Sequence, residues 1–323
     1  MKNRVNHGDT ESTEDCAEKK VRQDLQDEQD KESKADIIHP VDPVNPVKLL
    51  CAVLSVLRAS VVQFFRKTSM TGSTYSSPTG VIGALAWREL VRFFRQRNRV
   101  IGGLVQPVLF WLLFSEGLKS NELGYAHFFP GTLVMILLFT AIFATISVIE
   151  DRNAGFLQGV LVAPTQRLAI ALGKVLGGAA IALVQGVLFL VLGLVSGAAS
   201  VSGPMDVLLV LAAMTLIAVA LTGLGFAIAW RMDSTQGFHA IMSVFLLPMW
   251  LLSGAFFRRG AEGWLGGVVA ANPLTYGVAA LRYRLEAGDT SGLPPESLCW
   301  AVTIGFAATM LAASWWAVSW KKS

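Results

Sequence analysis

Residues 100–115, 128–149, 175–198, 207–230, 238–257 and 298–320 contain no Asp, Glu, Lys or Arg. Each approaches the roughly 20 apolar residues that a helix needs to cross the hydrocarbon layer, the first being the shortest. In hydrocarbon every backbone N–H and C=O must find an internal partner, so stretches of this length cross as helices. The expectation is an all-α membrane protein with six transmembrane helices, at about 100–118, 128–149, 172–198, 206–230, 238–257 and 298–320. Composition agrees: 53% of the 323 residues are apolar and 15% charged, and the mean hydropathy is +0.52, too oily for an ordinary soluble domain.

An even number of spans returns the C-terminus to the side of the N-terminus. With both ends inside, the inner flanks hold 11 basic residues (Arg88, Arg92, Arg95, Arg97, Arg99, Arg152, Arg167, Lys174, Arg231, Lys321 and Lys322). The outer flanks hold 5: Lys119, Arg258, Arg259, Arg282 and Arg284. The bias places both termini in the cytoplasm and the chain, multi-pass, in the cell (inner) membrane. Trp111, Tyr125, Trp264, Tyr276 and Trp300 then fall at the level of an outer aromatic belt.

Three regions follow. Residues 1–47 read as a disordered polar tail, with 11 acidic and 7 basic side chains in residues 1–36 and a stiff end at Pro40, Pro43 and Pro46. Residues 48–80 read as a juxtamembrane segment and loop. Within it, 48–67 is expected to lie on the membrane rather than cross it, because Arg58 at bilayer centre would cost about 2.5–3.5 kcal/mol; 68–80 is a flexible linker. Residues 81–320 form the transmembrane domain. No cleaved signal peptide is expected from the polar start, and Cys16, Cys51 and Cys299 are too scattered for a disulfide framework or a metal set.

Three connecting segments carry more information. On a helical wheel Arg88, Arg92, Arg95 and Arg99 share one face of residues 82–99, with Ile82, Ala86, Leu90 and Phe93 opposite. The pattern predicts an amphipathic interfacial helix, its arginines toward anionic lipid head groups. Residues 150–174, EDRNAGFLQGVLVAPTQRLAIALGK, fall between spans two and three. There Phe156, Leu157, Val160 and Leu161 recur at helical spacing, Asp151 or Asn153 is placed to cap the start, and Pro164 to stop it. Residues 256–297 contain an apolar middle broken by Gly266, Gly267 and Pro273, which suits an outer re-entrant element before the last span.

No phosphate-binding G-x-x-x-x-G-K-[ST] loop is present, and His7, His39, His127 and His239 form no ligand set. No catalytic residue, metal site or nucleic-acid surface is expected. Glu116 and Asp206 sit near span ends, and the deep positions read as apolar or small, unlike those of proton-coupled carriers. Gly173/Gly177 and Gly193/Gly197 have the spacing that lets helices approach closely.

The run from Asp151 to Pro164, followed by Arg167 and Gly173-Lys174, resembles the inner loop of ABC-2 type transporter permeases. LPMWLLSGAFF, residues 247–257, and NPLTYGVAALR, residues 272–282, are similar to the same family. The resemblance covers about residues 80–320. It implies a membrane subunit that pairs with a second permease copy or a homologue and is driven by a separate cytoplasmic ABC ATPase. ATP and Mg would then bind on the partner, with no cofactor on this chain. It further implies that residues 82–99 are a connecting helix, with membrane lipid as a neighbour, and that Asp151, Arg152, Gly155, Phe156, Leu157, Val160, Leu161 and Pro164 belong to an ATPase-coupling loop. Asn272, Pro273, Leu274 and Tyr276 would form the outer hairpin. Asp151, Asn153 and Gln158 stand where relatives often have Glu, and Arg258 and Arg259 where a proline is common, so docking through shape and apolar contact is expected. The implied activity is export of a drug, lipid or glycan; a gradient-driven carrier or a non-transporting scaffold of the same architecture are the alternatives.

Overall fold

The computed structural model describes residues 78–117, 125–162, 166–255, 263–285 and 292–319. The tail and the segment 48–67 lie outside them, as does most of the linker 68–80. Ten α-helices and one π turn account for nearly all of the described chain: α1 Pro78–Arg95, α2 Arg97–Gly117, α3 Tyr125–Asn153, α4 Phe156–Val162, α5 Arg167–Ser196, α6 Pro204–Ala229, α7 Thr235–Trp250 with the π turn Leu251–Ala255, α8 Trp264–Ala271, α9 Pro273–Leu285 and α10 Glu296–Ser319. Six of these, α2, α3, α5, α6, α7 with its π turn and α10, are long and apolar enough to cross a membrane.

Local chemistry sets the boundaries. Pro204 and Pro273 open α6 and α9, where the missing N–H is not needed. Ser234 caps α7 by accepting from the Gly237 N–H at 3.3 Å. Gly197, at φ 72°, closes α5 in the left-handed conformation that glycine adopts without penalty.

α3 is the buried axis of the bundle, with α2, α5, α6 and α7 around it. Phe129 stacks on Phe189 at 4.7 Å, and Trp111 meets both rings edge-on. Trp111 is therefore a core residue, 5% exposed, and not the belt residue that its position in the sequence suggested.

Side chains tie the helix ends into two levels. At one end Arg152 of α3 donates to the carbonyls of Trp230 and Met232 after α6, and Arg167 of α5 to Ser319 of α10. At the other, the Ser200 backbone N–H donates to the Leu285 carbonyl, the Arg284 side chain of α9 pairs with Asp206 and Glu296, and that of Arg282 donates to the carbonyls of His127 and Ala255. The π turn and the start of α10 lie at this second end, so the chain between them leaves it and returns. α8 and α9 are bent by 78° from one another within that excursion.

α1 departs from the expected interfacial helix in two ways. It stops at Gln96, so Arg99 belongs to the next helix, α2. It also runs alongside α5 in the same direction: Leu85 faces Gly173, Ala86 and Glu89 face Gly177, and Phe93 packs on Ile181. A Cβ on Gly177 would lie 2.9 Å from the Ala86 Cα, so Gly173/Gly177 is a true close-approach pair. Gly193/Gly197 is not: Gly193 makes room for the Phe129 ring, and Gly197 is the helix cap.

Candidate functional site

The short helix between spans two and three is made by a turn. α3 runs on through Asp151 and Arg152 to Asn153, then Gly155 at φ 74° reverses the chain into α4. Asp151 and Asn153 thus end one helix and do not cap the next; Asn153 donates instead to the Asp233 carbonyl at 3.4 Å. Leu157, 2% exposed, is the anchor of α4 and packs with Val160 against Leu85 and Ile170. The other side of α4 is open: Phe156 is 37% and Val162 87% exposed, with Gln158 and Gly159 between them. Pro164 and the Leu161 side chain lie outside the described residues.

Beneath α4 is a cluster of charges that the apolar pattern had hidden. The Asp151 carboxylate accepts from both terminal nitrogens of Arg88, at 2.7 and 2.8 Å, from Arg92 at 2.5 Å, and from Lys174. Lys174 also donates to Glu89 at 2.5 Å, and Arg92 to Glu150 at 2.6 Å. Three cations therefore face three carboxylates, a neutral set. The Lys174, Glu89 and Asp151 side chains are at most 4% exposed. Charges this deep survive only when paired and hydrogen-bonded. Asp151 in particular sits in the last turn of α3, where the helix dipole opposes an anion, and four donors offset that. The hydrogen bonds to Asp151 hold the Arg88 guanidinium above its ordinary value, against the opposing effect of burial.

Arg88 has a second contact. Its guanidinium lies 3.8 Å from the centre of the Phe156 ring, a cation–π distance. One side chain thus joins the exposed aromatic of α4 to the buried acid of α3. Of the other predicted arginines, Arg92 enters the cluster, Arg95 is exposed, and the Arg99 side chain lies outside the described residues. Arg88 and Arg92 of α1 thus pair with carboxylates. Arg152 faces away from the cluster, across the Trp230 ring and to Asp233 at 3.1 Å, and so fastens α3 to the α6–α7 turn.

Glu89, Glu150 and Lys174 were missed in the sequence. Buried positions at this end of the bundle therefore carry charge. The available signal was a lone lysine beside the Gly173/Gly177 stripe: a stripe that admits a second helix also requires that helix to bring an acid.

The NPLTY residues lie at the opposite end of the bundle. Asn272 occupies the bend between α8 and α9, where its side-chain oxygen accepts from the Leu274 N–H at 3.0 Å. Pro273 begins α9, Leu274 is buried, and Tyr276 donates to the Ala270 carbonyl at 2.9 Å.

A model of the ABC-2 type transporter family matches residues 80–285, which contain both groups of residues. The chain belongs to the ABC-2 type transporter family. A putative transport permease, ycf38, of Porphyra purpurea is 26% identical over 216 residues, covering 62% of this chain and 72% of the relative. A probable doxorubicin resistance ABC transporter permease protein, DrrC, of Mycobacterium tuberculosis is 24% identical over 223 residues, covering 67% of this chain and 81% of that one. This ABC-2 chain is a multi-pass membrane subunit of the ABC transporter kind. In it, α4 rests on α1 and α5 through Leu157 and is joined to α1 and α3 by the Phe156–Arg88–Asp151 chain.

Proposed function

We propose that this chain is the permease subunit of an ATP-driven ABC exporter, with α4 as the surface on which a separate cytoplasmic ATPase docks. The observation that carries the reading is Phe156: an exposed aromatic on a seven-residue helix, held by Arg88 against a buried ionic cluster. An exposed Phe156 and an exposed Val162 at the two ends of a helix with no carboxylate suit docking by shape and apolar contact. In this reading the Asp151 end of the bundle is cytoplasmic and the Arg284 end is outside. The α8–α9 excursion is a re-entrant hairpin, and a second copy or a homologue completes the path. ATP and Mg bind on the ATPase, whose closure pushes α4 and biases the bundle between two packings. The substrate class is hydrophobic or amphipathic, in line with the drug named for the mycobacterial relative.

The test is affinity purification from the native membrane in mild detergent, with Phe156→Asp as the paired variant. An ABC ATPase that accompanies the wild type and is lost with the variant supports the docking role. An ATPase retained by a correctly inserted variant defeats it.

A further inference from the structure

The outer end of span five is a broken helix whose carbonyls are closed by other elements. Pro248 has no N–H to give, the helix widens into the π turn Leu251–Ala255, and Gly254 at φ 74° takes the chain out of helical geometry. Such a break frees carbonyl groups, and in hydrocarbon each free carbonyl needs a donor. The donors are side chains. Asn272 donates to Met249 O at 2.5 Å, Ser253 to Trp250 O at 2.5 Å and Arg282 to Ala255 O at 3.2 Å, while the Thr275 hydroxyl, which donates to Val269 O at 2.7 Å, lies 3.5 Å from Leu252 O. Two of these three donors, Asn272 and Arg282, come from the α8–α9 bend and from α9. Asn272 acts in both directions: its amide N–H binds span five while its amide oxygen caps α9 through Leu274. It is 8% exposed, so water is a poor substitute for either partner.

We propose that Asn272 is a latch that makes the break in span five and the α8–α9 bend one mechanical unit. Opening the π turn strips Met249 and Ala255 of their donors unless the bend moves with it. The two therefore open together or not at all. Resting on the exporter reading, this gives a hinge in span five a fixed route to the outer hairpin, with Asn272 as the positioning residue.

The experiment is hydrogen exchange on the chain alone in lipid nanodiscs, followed by mass spectrometry. In the wild type, segments 249–255 and 269–276 are expected to exchange with protection factors within about threefold of one another, as one cooperative unit does. Segments that differ by more than about tenfold overturn the latch. Asn272→Asp at pH 8.5 separates the two hydrogen bonds, because a carboxylate still caps Leu274 but cannot donate to Met249. Exchange in 249–255 should then rise about tenfold while 277–285 stays protected, the scale of one lost buried hydrogen bond. Unchanged exchange in 249–255 would reduce Asn272 to a helix cap. Neither arm needs an ATPase, so failure of the latch and failure of the exporter reading are read separately.

Discussion

Arg88 and Asp151 are 63 residues apart in sequence and meet through two hydrogen bonds, of 2.7 and 2.8 Å, from the two ends of one guanidinium to the two oxygens of one carboxylate. This bidentate pair fixes both the distance and the rotation of α1 on α3. Lys174 completes it from α5. Three helices are thus referenced to a single acid lying directly under α4.

Removing that acid is expected to cost more than any surface change. Asp151→Ala leaves Lys174 buried with Glu89 as its remaining partner, and breaking a buried pair costs about 3–5 kcal/mol. Denaturant unfolding in detergent measures it. Lys174→Met in the Asp151→Ala background should recover part of the loss, since no buried ammonium is then left. Losses that simply add would show that the residues do not act as one cluster.

Arg88→Lys tests the link to α4 rather than the charge. Lysine keeps the charge but cannot reach Asp151 with two parallel bonds while stacking on Phe156. Faster proteolysis or exchange within Phe156–Val162 is expected, together with weaker ATPase recovery, while the bundle melts within about 1 kcal/mol of wild type, the value of a cation–π contact at a partly exposed site. A variant with normal exchange in α4 would show that Leu157 alone holds the helix.

The spans were legible because hydrocarbon enforces them: six charge-free runs gave six long helices, five of them within a few residues and the third beginning eight residues early, at Arg167. The α4 periodicity was legible in part. Leu157 and Val160 do face the bundle, whereas Phe156 turns outward to Arg88, and seven residues are too few for a wheel to make that distinction. The placement of α1 was not legible. A wheel of residues 82–99 shows arginines on one face, but whether lipid phosphates or carboxylates satisfy them depends on Glu89, Glu150 and Asp151, and sequence spacing alone does not bring the last two to α1. The break at Gln96, which assigns Arg99 to a second helix, carries neither Gly nor Pro to announce it.

Gly177 and Gly159 should respond in opposite senses to the same substitution. At Gly177 a methyl group meets the Ala86 Cα at 2.9 Å and the Ala86 carbonyl oxygen at 3.1 Å, backbone atoms that yield only if α1 moves off α5. Gly177→Ala is expected to destabilise by about 1–3 kcal/mol, the usual cost of overpacking. Around Gly159 nothing lies within 4 Å, and Gly159→Ala on the exposed side of α4 should stabilise by up to about 1 kcal/mol through helix propensity. Unfolding of the two variants under one condition decides it; equal effects would contradict the close approach of α1 to α5.

Orientation can be decided by two single cysteines placed at the two ends of the bundle. Gly159→Cys puts a thiol on the open side of α4, and Ser200→Cys puts one in the exposed connection between α5 and α6, next to Leu285. Both go into a background with Cys16, Cys51 and Cys299 replaced by alanine. On intact cells a membrane-impermeant maleimide should label Ser200→Cys at once and Gly159→Cys only after permeabilisation. The opposite pattern would turn the bundle over, moving α4 out of reach of a cytoplasmic ATPase and removing the exporter reading with it. Labelling of both from one side would mean that α5 does not carry the chain from one face to the other. Since α5 has 30 residues at 1.5 Å each, about 45 Å against a hydrocarbon layer near 30 Å, its two ends are expected on opposite faces.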